Sequence, residues 1–206
     1  MTDYKPTLKQ FLKDVGNHRV EVKLDQGVYR HLVCRNADGS FNQRFEIITA
    51  PYSLLIRGDM GAVAFSRIED MFHFFESHPG RINPHYWAEK IEGIQCDGSI
   101  HGYKFSGDAF RTALIESLDG YGLTKKRQRL LAKQLKEEID WSDDESYTRR
   151  QVEDFKADDG FEFSDTWEIS AVVPLGRYIW LCRAVCWAIG KYREMKKGET
   201  NADTTV

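Results

Sequence analysis

The residues best suited by type and spacing to do chemistry lie between positions 57 and 89. Arg57-Gly58-Asp59-Met60-Gly61 sets a cation and an anion among two glycines. Glycine accepts positive φ and lets the backbone approach a ligand closely. Asp59 could hold a cation or a hydroxyl, and Arg57 or Arg67 a phosphate through the guanidinium fork. His73, His85 and Glu89, with Asp70, could meet in space as acid–base groups. On this reading Arg57, Asp59, Arg67, His73, His85 and Glu89 line a nucleotide site, in a binding protein or a processing enzyme. The same glycines also suit a plain hairpin turn. Isolated histidines are ordinary surface or capping residues, and no GK[ST] follows to make a phosphate loop.

The second grouping is electrostatic. Six basic residues, Lys125, Lys126, Arg127, Arg129, Lys133 and Lys136, fall within 125–136. Residues 137–165 hold twelve acidic and three basic side chains, a local net of −9. The whole chain is at −3, so the remainder stands at −3 − (−9) = +6. A basic helix face can touch phosphates, so a nucleic acid is a possible partner through 125–136. The acidic run can bind a basic partner or imitate a phosphate backbone. Both runs can equally be solvated helix faces. The residues proposed to meet a partner are Lys125, Lys126, Arg127, Arg129, Asp143, Asp144, Glu145, Asp158 and Asp159.

Other chemistry finds little footing. The six histidines show no metal-ligand spacing, so no metal is assigned. The cysteines at 34, 96, 182 and 186 form no CxxC pair, which fits reduced thiols in a cytoplasmic protein, although an even count leaves a disulfide open. Cys182 and Cys186, four apart on a helix, read as small core residues. No G-x-S-x-G nucleophile turn occurs. No catalytic residue and no cofactor are assigned. With 41% hydrophobic and 13% aromatic residues the chain is not disordered, and a net charge of −3 excludes a basic coat. The N-terminus lacks the apolar run of a signal peptide. The most apolar late stretch, 178–189, is interrupted by Arg183 and is too short for a bilayer, so no membrane partner is expected.

These residues need a scaffold, and the periodicity supplies one. Thr7 and Gln10 fit a capping box before the helical stripe Leu8, Phe11, Leu12 and Val15. The period then shortens to two. Val20, Val22 and Leu24 alternate with Arg19, Glu21 and Lys23, and further strands are expected over 28–35, 41–49, 52–56 and 62–65. Phe45, Ile47 and Thr49 should share one face. Short turns imply an antiparallel meander. Residues 93–105 can add a strand or a loop. Helices follow, opened by Ser66 with Glu69, by Asn83-Pro84, by Ser106, by Thr124 and by Ser142 with Glu145. A last helix runs from Pro174-Leu175 to about Lys197, with Tyr178, Cys182, Val185, Cys186 and Ile189 on one face. The expected fold is α+β: an N-terminal antiparallel sheet of about five strands, helices packed on one face, and a long C-terminal core helix. Residues 1–195 should form a single domain and 196–206 a flexible tail.

Four stretches together carry a family likeness. They are Leu55-Ile56-Arg57-Gly58-Asp59-Met60-Gly61, Asp70-Met71-Phe72-His73-Phe74-Phe75, Ile82-Asn83-Pro84-His85-Tyr86-Trp87-Ala88-Glu89-Lys90, and the run Trp180-Leu181-Cys182-Arg183-Ala184-Val185-Cys186-Trp187-Ala188-Ile189. The combination resembles an uncharacterised family of accessory proteins of tailed bacteriophages and prophages, over roughly residues 15–195. The resemblance implies a bacterial cytoplasmic setting and a non-enzymatic binding protein. Its partner would be a bacterial host or defence complex, CRISPR complexes among them.

Overall fold

The computed structural model describes residues 6–95 and 102–203. They divide into two compact units. One joins the chain up to Gly102 with the chain from Pro174 onward, and the other is Tyr103–Val173.

The first unit opens with helix α1 (Leu8–Asp14), where the Thr7 side chain accepts from the Gln10 N–H as expected. Six strands follow in one antiparallel sheet whose spatial order equals the sequence order. They are β1 (His18–Gln26), β2 (Tyr29–Asn36), β3 (Phe45–Ala50), β4 (Ser53–Gly58), β5 (Gly61–Ser66) and β6 (Ile91–Gln95). The sixth strand arises in the stretch whose composition left strand or loop open. Part of that stretch, and Cys96, lie outside the described residues. The third strand is shorter than 41–49 suggests, because Phe41 sits in the preceding turn and is 77% exposed.

Two short helices join β5 to β6: α2 (Met71–Phe74) and α3 (Pro84–Ala88). Asn83 caps α3 by accepting from the Tyr86 N–H, with Pro84 inside the first turn, as its sequence predicts. The cap of α2 differs from expectation. Ser66 ends β5, and Asp70 accepts from the Phe72 N–H instead. Ser66 is still in the sheet, with its N–H held by the Lys90 carbonyl at 2.9 Å, and the helix starts only at Met71, so the capping position falls on Asp70.

Alternation decides which face is core. Leu32, Cys34, Phe45, Ile47, Leu54, Ile56, Val63 and Phe65 point one way and are fully buried. The long final helix covers them. It runs Gly176–Asp203, past the point where the composition suggests a polar tail. Tyr178, Cys182, Val185 and Ile189 are buried as expected, and Trp180 with them. Trp180 meets Phe45 and Phe11 edge-to-face at 5.5 and 5.4 Å, and its indole N–H donates to Asp14 at 3.0 Å. These three contacts set the register of the helix on the sheet more closely than burial alone specifies. Gly102, at φ +74, leaves no room for a Cβ against the Tyr178 ring.

The second unit has its own core. It contains β7 (Tyr103–Phe105), α4 (Gly107–Ser117), a 3-10 turn at Leu118–Tyr121, α5 (Lys125–Glu138), α6 (Glu145–Asp154), a 3-10 turn at Thr166–Glu168 and β8 (Val172–Pro174). β7 and β8 form a two-stranded ladder. Phe110, Leu114, Leu118, Leu131, Leu135, Val152 and Phe155 pack together. Helix α5 is capped by Thr124 as predicted, but α6 is capped by Asp144 rather than Ser142. The Ser142 hydroxyl instead accepts from the Asp144 N–H and so holds the capping residue itself. The long final helix of the first unit is α7 (Gly176–Asp203).

Candidate functional site

The Gly58–Gly61 turn is built by its neighbours. Asp59 and Met60 form a two-residue connection between β4 and β5, closed by the Gly58–Gly61 pair. Gly61 has φ +109, a conformation that favours glycine. Gly58 is opposite Phe45 on β3, and a Cβ there would strike the Arg44 carbonyl oxygen and the Phe45 Cα. The close approach served by this glycine is therefore to its own sheet. Asp59 accepts from the Gln43 N–H at 2.9 Å, and its own N–H donates to the Arg44 carbonyl at 2.9 Å. Arg57 donates from Nε to Glu46 at 2.8 Å.

The sheet keeps the remaining candidates apart. Arg57 pairs with Ala62 near the start of β5, whereas Arg67 follows its far end. Five strand steps separate Ala62 from Arg67, about 17 Å. Arg67 is exposed, as are His73 on α2 and His85 on α3. Glu89 pairs with Lys90 at 3.1 Å. Only Arg57 and Asp59 share one end of the sheet, and each is held by β3 or the turn before it.

One charged cluster escaped the sequence reading. Glu46 projects from β3 on the face opposite α7, in register with Val33 and Arg57, and is only 7% exposed. His31 meets it at 2.7 Å, Arg57 at 2.8 Å and Arg44 at 3.9 Å. Burial pushes the Glu46 carboxyl up, but the hydrogen bonds from His31 and Arg57 outweigh that and hold it below the usual range. Its outward phase was visible in the sequence, between Phe45 and Ile47. The partners were not, because they come from β2 and β4.

The charged segments of the second unit behave differently. Some of their charges are paired within the fold and others are left facing outward. Lys125 meets Asp119 at 2.6 Å, Arg127 meets Asp159 at 2.7 Å, and Glu145 meets Arg149 at 2.8 Å. Asp143 meets Lys104 at 3.2 Å and accepts from the Gly107 N–H. Asp144 caps α6, and Asp158 is exposed. Lys126 and Arg129 are exposed and have no ion pair among the described residues.

Helix α5 therefore carries an outward line of cations. Lys126, Arg129, Lys133 and Lys136 follow i, i+3, i+7 and i+10 spacing and are all exposed. At 100° per residue they fall within about 80° of arc, on the side away from Leu131 and Leu135. The order of charge along α5 runs against its dipole. The first turn has no acidic residue and begins Lys125-Lys126-Arg127, while Glu137 and Glu138 close the helix. Each misplaced charge costs about 0.3–1 kcal/mol at an exposed terminus. Helix stability alone does not account for such a sequence.

Among the described residues no group of three or more His, Cys, Asp or Glu could hold a metal ion, and no helix is long and apolar enough to cross a membrane. No protein-family model, no curated protein and no solved structure matches this chain.

Proposed function

We propose that this chain is a phage- or prophage-encoded binding protein that occupies a surface of a bacterial host or defence complex, such as a CRISPR complex, in the bacterial cytoplasm. Its contact surface is the charged side of the second unit. The observation that carries this reading is the outward line of Lys126, Arg129, Lys133 and Lys136, most of it placed against the helix dipole, on a helix whose opposite side packs Leu131 and Leu135 into the core. Charge arranged in this way stabilises an encounter with an oppositely charged partner and speeds its approach. The family resemblance supplies the setting.

The test is affinity capture of the tagged full chain from infected bacteria, joined to phage plating on hosts with and without defence systems. A stable host partner and improved plating on defended hosts are the expected results. No specific partner together with no change in plating overturns the reading.

A further inference from the structure

We infer that the outward face of α5 binds the phosphate backbone of a nucleic-acid duplex. The inference names the partner chemistry of the surface just described and so rests on that reading. Three features carry it. The first is shape. From Lys126 to Lys136 the helix rises about 15 Å at 1.5 Å per residue. Four cations lie along that line, in steps of three or four residues. A duplex carries one phosphate charge per about 1.7 Å of axis, so the same length of duplex presents about nine phosphates on its two strands. The row of cations therefore runs beside a dense line of phosphate charge, enough to place an anion near each of them.

The second feature is placement. Positively charged side chains crowd the end of α5 where the free backbone N–H groups already favour anions. Asp119 and Asp159 answer Lys125 and Arg127 from within the fold. Lys126, Arg129 and Lys136 have no such answer among the described residues, and Lys133 reaches Glu137 only at 3.8 Å with both side chains mostly exposed.

The third is composition. The helix sequence KKRQRLLAKQLKEE contains no aromatic residue. Single-strand binding surfaces stack bases on aromatic rings, so this face is suited to backbone contact on a duplex rather than to stacking the bases of a single strand. Glu137 and Glu138 bound the row at one end, and the row from Lys126 to Lys136 spans about three helical turns of the protein.

The test is fluorescence anisotropy with the full chain, using a labelled 20-bp DNA duplex, an RNA duplex of equal length, the single strands and polyglutamate. Binding to a duplex should weaken steeply with salt, with a log–log slope approaching −3.6 for four phosphate contacts. Lys126→Glu, Arg129→Glu, Lys133→Glu and Lys136→Glu combined should weaken it at least tenfold. A control carrying Lys9→Glu, Lys13→Glu, Arg81→Glu and Lys197→Glu has the same net charge and should keep most of the affinity. Circular dichroism on both variants checks that the fold is retained. No duplex binding at 50 mM salt, equal loss in both variants, tighter binding to single strands, or a preference for polyglutamate each overturns the inference. If duplex binding fails while a host partner is still captured, only this inference falls. If the partner is lost as well, the binding reading falls with it.

Discussion

The Arg30 guanidinium grips the Asp70 carboxylate with two hydrogen bonds, of 2.8 and 3.0 Å, and so ties the second strand to the cap of α2. Asp70 simultaneously accepts from the Phe72 N–H at 2.9 Å. The side chains are only 11% and 16% exposed, and the Arg30 guanidinium lies 4.5 Å above the Phe72 ring. Removing one member of a buried pair leaves the other charge uncompensated. Asp70→Asn keeps a capping oxygen but loses the charge, and should cost about 3 kcal/mol. Asp70→Ala loses the cap as well and should cost about 1 kcal/mol more. Urea denaturation with unchanged m-values checks both.

Gly58 and Gly93 make a contrasting pair. A Cβ at Gly58 collides with the Arg44 and Phe45 backbone, while at Gly93 it meets nothing within 4 Å. Gly58→Ala should therefore destabilise by about 1–3 kcal/mol, as overpacking does. Gly93→Ala should be neutral or slightly stabilising, by up to about 1 kcal/mol. Thermal melting of the two variants side by side decides this.

Acid should act on the fold in two stages. Burial holds His18 below its ordinary 6.5, despite the Gln43 carbonyl and the nearby Asp14 and Asp38. The unfolded chain therefore takes up this proton first, and stability begins to fall as pH drops below about 6.5. The carboxyls of Asp25, Glu46 and Asp70 are pushed up by burial, but their hydrogen bonds to Lys196 and Tyr192, to His31 and Arg57, and to Arg30 win and depress them. A depressed folded-state value means that the unfolded chain binds more protons below about pH 4.3, so a second loss follows there and continues until the folded carboxyls protonate. Melting temperature measured from pH 8 to pH 3 should show both stages. His18→Gln should flatten the first and leave the second, and Glu46→Gln should reduce the second.

The three described cysteines should resist thiol reagents. Burial pushes the Cys34 and Cys182 thiols far up and raises Cys186 to about 12. A thiolate is the reactive form, so none should label in the folded protein at pH 8. Mass spectrometry after a pulse of iodoacetamide should find Cys34, Cys182 and Cys186 unmodified until denaturant unfolds the chain. Labelling of Cys186 under native conditions would contradict its burial on the inner face of α7.

Period, caps and the in-or-out phase of each strand are local properties, and residue order alone carries them. Alternation put Phe45, Ile47 and Thr49 on the buried face, and the 3.6-residue stripe placed Tyr178, Cys182, Val185 and Ile189 against the core. Thr7, Asn83, Ser106 and Thr124 cap their helices because a cap needs only residues three positions away. The same reasoning failed at Ser66 and Ser142, where a neighbouring aspartate had the better geometry. The line of cations on α5 also follows from spacing alone once the helix is granted. Which charges are neutralised inside the fold depends instead on long-range packing. Lys125 found Asp119, Arg127 found Asp159, and Glu46 drew His31 and Arg57 from two other strands. The tertiary structure also showed that Gly58 serves its own sheet and that β5 holds Arg67 away from Arg57. Partner choice among charges depends on strand register and on loops that return from a distance, and a one-residue shift in register would have exchanged every partner.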